Sequence, residues 1–204
     1  MLRRAYAEKP YEFVLTILVV FSAVMAAFTG YSSGLAGEDE TDFRGEGLSA
    51  LTQANTNALQ ANQIILRDER ILLQADFADV IGETDFPQEL RSRTRIVRLG
   101  YLDLDGNATA EYADFDEAAN AYIQDMYAPQ RANQTASDLA FAKADIVGAK
   151  EVNYLLATIL FALGAVLASQ GLAADSQRVR RLFMYIVVGF LVLPVGLTLL
   201  TVLT

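Results

Sequence analysis

The chain has 204 residues, a hydrophobic fraction of 53% and a formal net charge of −9, which leaves room for one membrane bundle and one modest soluble domain. Cys, His and Trp are all absent. Their absence excludes disulfides, thiolate or imidazole metal ligation, Cys or Ser–His nucleophilic catalysis and histidine pH switching.

The chain begins with a basic segment, Arg3, Arg4 and Lys9 against Glu8, and residues 1–12 are expected to stay in the cytoplasm. Residues 13–34 form the first predicted transmembrane helix, an uncharged and mainly apolar run through Phe28. A basic start followed by an apolar run also describes a cleaved signal peptide. This run exceeds the usual signal core of about 7–15 residues and lacks a clean small-x-small site, so it reads as an uncleaved anchor.

Residues 35–152 are expected to form an extracytoplasmic, acidic, helical domain. Between Glu38 and Lys150 there are 21 Asp and Glu against 10 Lys and Arg, a balance that repels nucleic acid and anionic lipid. Only three lysines accompany thirteen arginines in the whole chain. Such a composition fits a protein soluble in high salt, as from a halophile, and equally a GC-rich genome.

The domain opens with an acidic linker, Gly37 to Gly47. Helical periodicity follows from Leu48 to Ile81, where Leu48, Leu51, Leu59, Ile65, Leu66, Leu72, Leu73 and Val80 gather on one broad face. Gly82 and Pro87 end it. Amides crowd its first half, from Gln53 through Asn55, Asn57, Gln60 and Asn62 to Gln63. Asn55 and Asn62 are one heptad apart, which suits either a register-fixing buried pair or, as the favoured reading, a solvated face.

Phe86 to Met126 is the least regular stretch. Arg91, Arg93, Arg95 and Arg98 are read there as counter-charges or caps in preference to an anion site. Within it, Asp103, Asp105, Asn107, Thr109, Glu111 and Asp114 fall at positions one, three, five, seven, nine and twelve of a calcium-type loop. Ala108 stands where the sharp turn needs glycine, Ala110 where a branched apolar residue is preferred, and Asp114 where a bidentate Glu is usual. The competing reading is an acidic turn before a helix over Tyr112 to Tyr127. No cofactor other than this calcium candidate is expected. Asn107 and Asn133 each match the glycosylation acceptor tripeptide.

Ala132 to Leu172 is helix-compatible throughout, so one helix of about 40 residues is expected to lead into the second span, with the Leu48 helix packed on its outer half. The terminal hairpin comprises residues 153–172, a basic turn at 173–181 and residues 182–204. Arg178, Arg180 and Arg181 place that turn in the cytoplasm, in agreement with Arg3 and Arg4. The resulting topology is a multi-pass plasma-membrane protein with its N-terminus inside and residues 35–152 and Thr204 outside. Neither the first span nor the hairpin's two apolar runs carries a charged side chain, which argues against a proton relay or single-copy transporter. Ser22, Ala26 and Gly30, and also Gly164 and Ala168, recur at four-residue spacing, a pattern that lets helix backbones approach closely. They serve either packing within the chain, the favoured reading, or a homo-oligomer. Pro194 and Gly196 predict a kink in the third span.

Three patches carry a resemblance: Tyr31-Ser32-Ser33 at the end of the first span, the amide- and alanine-rich Gln53 to Gln63, and the hairpin opening Tyr154 to Ala162. In layout and in these patches the chain resembles a loosely defined group of small prokaryotic three-span membrane proteins. The resemblance implies an all-α membrane architecture and carries no information on activity.

Function is thus expected to be non-enzymatic, with the acidic helical domain contacting a membrane protein partner or further copies of the chain. The alternative is a subunit of a homo-oligomeric, channel-like or ion-responsive assembly. Carboxylate pairs that could serve acid/base chemistry, Asp68 with Glu69 and Asp114 with Asp116 and Glu117, are read as solvated helix surface.

Overall fold

The computed structural model describes residues 10–83 and 85–203. Arg3 and Arg4, and Thr204, lie outside the described residues. Among the described residues six helices follow one another: α1 (Pro10–Val80), α2 (Phe86–Ser92), α3 (Arg95–Arg98), α4 (Phe115–Met126), α5 (Ala128–Ala173) and α6 (Gln177–Leu203). Among the described residues there is no strand, only an isolated bridge between Leu102 and Ala108. Of the helices formed by the described residues, three, α1, α5 and α6, are long and apolar enough to cross a membrane.

The chain divides into two compact units, one of residues 1–44 and 141–204, the other of residues 45–140.

In the first unit, α1, α5 and α6 enclose a core of Leu15, Ala157, Phe161, Ala168, Val187 and Leu191. Phe21 meets Phe161 edge to face, with ring centroids 6.2 Å apart. Only 17–28% of the apolar windows of these helices is buried. Ile17, Val24, Leu156, Val166, Val192 and Leu193 point outward, an arrangement stable where the surroundings are hydrocarbon.

Close approach depends on glycine. A Cβ on Gly164 would lie 2.7 Å from Leu191 Cδ2, and one on Gly171 would lie 2.7 Å from Phe183 Cβ. Polar groups inside this unit bond across it: the Thr29 and Thr158 hydroxyls are 2.8 Å apart. Each also lies within reach of a carbonyl in its own preceding turn, Met25 and Tyr154 respectively.

Two expectations are corrected in this unit and at its edge. Gly37 to Gly47 is helix, not linker. Glycine's weak helix propensity is overridden because two of these glycines are packing sites. A Cβ on Gly37 would meet the Glu151 carboxylate at 3.1 Å, and Gly47 is buried with its carbonyl accepting the Ser137 hydroxyl at 2.9 Å.

The basic turn is also shorter than 173–181. Only residues 174–176 are non-helical, and Arg178, Arg180 and Arg181 belong to the opening turns of α6. Cations at a helix N-terminus oppose its dipole. Arg180 offsets this by pairing with Glu12 and donating to the Ala174 carbonyl at 2.8 Å, while Arg181 lies 5.7 Å from the Tyr185 ring centre. Helix α6 runs through Pro194 without a break.

In the second unit α1 ends in a Schellman motif. The Glu83 amide donates to the Ala78 carbonyl and the Gly82 amide to that of Asp79, with Gly82 at φ +85°. The expected stop at Gly82 is therefore met by the conformation that glycine alone adopts freely. Ile96, Leu102, Ala118 and Tyr122 form this unit's core against Ile64, Ile65 and Leu72 of α1. The Leu48 to Val80 apolar residues do not share one face: Ile65 and Leu72 turn inward, whereas Leu59, Leu66, Leu73 and Val80 are exposed.

Candidate functional site

Residues 45–80 of α1 carry a buried row at seven-residue spacing, Gly47, Ala54, Ala61, Asp68 and Ala75. A strict seven-residue repeat keeps one seam inward along a supercoiling helix, and small side chains let neighbours come close. Asp68 interrupts this small apolar row and is only 4% exposed. Its Oδ2 accepts the amides of Arg95 at 2.7 Å and Ile96 at 3.1 Å, and the Tyr122 hydroxyl at 2.7 Å.

Helix α3 is a single turn whose own N-cap, Thr94, makes no side-chain cap bond. Asp68 supplies that cap from α1, satisfying two of the amides a helix start leaves open and placing a negative charge at its positive end. Tyr122 of α4 is drawn to the same oxygen, so one carboxylate ties three helices together.

Burial, followed by the bond to Asp68, raises the Tyr122 phenol well above its usual 10.0. Tyr101 sits 5.5 Å from both Tyr112 and Tyr122. Its pKa is raised too, first by burial and then by the Asp125 charge. A phenol whose folded pKa exceeds its unfolded one contributes stability that is complete below the unfolded value and is lost as pH climbs toward the folded value. The contribution of these two phenols to the unit's stability is expected to be constant from neutral pH to about 10 and to shrink above it. Tyr122→Phe should flatten that alkaline fall in a thermal-melt series; an unchanged slope would refute the assignment.

Arg91 is the second anchor. Its side chain is buried and pairs with Asp76 at 2.8 Å and with Asp79. Burial disfavours its charge, but the two carboxylates outweigh that and raise its pKa. Gly106, at φ +86°, lets backbone lie against the guanidinium: an added Cβ would be 3.2 Å from Arg91 Nε. Arg93 pairs with Glu89. Arg91 and Arg93 thus act as counter-charges, whereas Arg95 contributes its main-chain amide to the Asp68 cap.

Four of the six oxygen-bearing residues of the calcium-type loop are placed by this scaffold in separate tasks. Asp103 Oδ1 accepts the amides of Asp105 and Asn107 at 2.9 and 2.8 Å, closing a tight turn. Asp105 accepts from Gln88, and the Thr109 hydroxyl donates to the Gly100 carbonyl. Asp114 caps α4 through the Glu117 amide, while Glu117 accepts the Ala113 amide. Asn107 and Glu111 are exposed. Among the described residues no three of His, Cys, Asp and Glu are grouped to hold a metal ion. Of the acceptor asparagines, Asn107 is exposed and Asn133 half-buried.

The chain matches no family model, no curated protein and no solved structure.

The remaining surface of residues 45–140 carries a regular row of large apolar side chains. Leu59, Leu66, Leu73 and Val80 are 64%, 62%, 69% and 84% exposed and recur every seven residues. Each heptad's leucine lies two residues, about 200° of helix, from the buried small row, so the two rows occupy opposing faces of α1. Leu73 continues with Phe77, Ile81, Phe86 and Leu90 into a groove of about 550 Å³, with Arg70 at its rim. The amide residues Gln53, Asn55, Gln60, Asn62 and Gln63 are exposed around the leucine row, and Tyr127 donates to Asn62.

The small residues singled out in the spans lie inside the first unit. Ser22 and Ala168 are fully buried, Ala26 packs on the core, Gly30 is against Thr158, and Gly164 against Leu191 and Ser22. Sequence reasoning missed Asp68 as an anchor and Gly171 as a contact. The seven-residue row of small residues on which Asp68 falls was the available signal for the first.

Proposed function

We propose that the protein is a non-enzymatic integral membrane protein of the plasma membrane whose helical unit, residues 45–140, lies on the outer side and serves association with further copies or with a membrane protein partner. The observation that carries this reading is the leucine row of α1, exposed on a unit that has its own closed core. Exposed apolar rows of this length mark interaction surfaces on otherwise well-packed domains. The carboxylates available for acid/base work support it as well, because Asp68, Asp114 and Glu117 are committed to capping amides. In this reading the N-terminus and the α5–α6 turn face the cytoplasm, following the basic residues at both places.

Its test is the mass of the full chain in lipid nanoparticles, with single cysteines added for topology. More than one copy, or a stoichiometric second protein, is expected. Ser49→Cys should react with a membrane-impermeant maleimide on intact cells and Asp175→Cys should not. A lone monomer, or the reverse labelling, would overturn the reading.

A further inference from the structure

The flanks of the exposed leucine row are opposite in charge. On one side of Leu66 and Leu73 stand Gln63, Arg67, Arg70 and Gln74; on the other stand Asn62, Glu69, Asp76 and Asp79. All eight are exposed in the folded chain. Asp76 and Asp79 are already paired with Arg91, which leaves Glu69 and Arg70 as the complementary charges nearest the row's centre.

Pairing two such helices by a two-fold axis gives different flank contacts in the two orientations. In a parallel pair, each basic flank meets the partner's acidic flank; in an antiparallel pair, basic meets basic and acidic meets acidic. Glu69 and Arg70 are consecutive, about 1.5 Å apart along the axis, and both sit between Leu66 and Leu73. In register, Arg70 of one copy therefore stands beside Glu69 of the other, and the symmetry makes the contact twice.

From this geometry we infer that the leucine row is the seam of a parallel homodimer, in register at Leu59, Leu66, Leu73 and Val80, with reciprocal Glu69–Arg70 pairs setting its orientation. This rests on the association reading above and names its occupant, a second copy of this chain. Four apolar residues per helix make a small seam, and rim pairs of this kind contribute only about 0.2–1 kcal/mol each. Confinement of both copies in one bilayer supplies the effective concentration such a seam needs. Charge complementarity here chooses orientation more than it supplies affinity.

The test uses the full chain in membranes, where the absence of native cysteine makes single-cysteine variants unambiguous. Leu66→Cys and Leu73→Cys are each expected to cross-link to themselves under mild oxidation, whereas Leu104→Cys, exposed on the same unit but off the row, is not. Glu69→Arg and Arg70→Glu, each combined with Leu66→Cys, should lower the cross-linked fraction severalfold, and the double swap should restore it. Cross-linking at only one of the two leucine positions indicates an antiparallel pair and overturns the inference. An oligomer by mass that cross-links at neither position, or ignores the charge swaps, also overturns it while leaving the association reading standing. A monomer by mass removes both.

Discussion

Asp68→Ala is expected to destabilise residues 45–140 by about 2 kcal/mol or more, because it strands two buried donors, and a third that is partly buried, at a cost of about 1–3 kcal/mol for each buried one. The donors are the Arg95 and Ile96 amides and the Tyr122 hydroxyl, all within 3.1 Å of one oxygen. The loss should be local at first: α3 has no side-chain cap of its own, so amide exchange at Arg95 to Arg98 should accelerate before that of α1. Asp68→Asn keeps a carbonyl acceptor in place and should cost less. Thermal unfolding followed by circular dichroism, with hydrogen exchange read by residue, checks both. Equal stability of Asp68→Ala and the parent chain would remove the carboxylate from its anchoring role.

The second large effect is expected in the apolar unit. Gly171→Val should force α5 and α6 apart, since even its Cβ would lie 2.7 Å from Phe183 Cβ and 3.2 Å from Leu15 Cδ1. Phe183 Cβ is bonded directly to backbone, so relief requires the helix to move and not merely a rotamer change. Overpacking of this kind costs about 1–3 kcal/mol. Gly189→Ala is the contrasting case, with nothing within 4 Å of the added Cβ. There the gain in helix propensity should leave stability equal or higher. Unfolding in graded denaturing detergent separates the two; parity between them would contradict the close approach at Gly171.

The helices and their apolar spans were legible because long runs of uncharged side chains and a Gly82 stop are local signals. Gly37 to Gly47 was misread as a linker because glycine and acidic residues weaken a helix locally. What overrides them is tertiary: Glu151 against Gly37 and Ser137 on the Gly47 carbonyl, partners about ninety or more residues away in the chain. Asp68 beside Glu69 reads as a solvated carboxylate pair, yet adjacent helical residues point about 100° apart, and only Asp68 falls on the buried row. The calcium-type spacing at Asp103 to Asp114 is genuine as a string of oxygens. Its members are divided between a turn, a side-chain bond and a helix cap, and division of that kind is invisible to spacing. The leucines at 59, 66 and 73 were gathered with Ile65 and Leu72 onto one face because apolar character alone does not reveal which of two rows meets a neighbour.

The hydroxyl pair between α1 and α5 has a consequence of its own. Thr29 and Thr158 share two protons among three short contacts, one to each other and one to each helix's own carbonyl. Only two contacts can be filled at a time, so the pair is a small rotor: either threonine can be the giver, and the bond between the helices can reverse its polarity without any heavy atom moving. A latch of this kind holds two helices together with no preferred donor; a valine at one position can neither donate nor accept, so it would remove the bond between the helices and leave the remaining hydroxyl on its own helix's carbonyl.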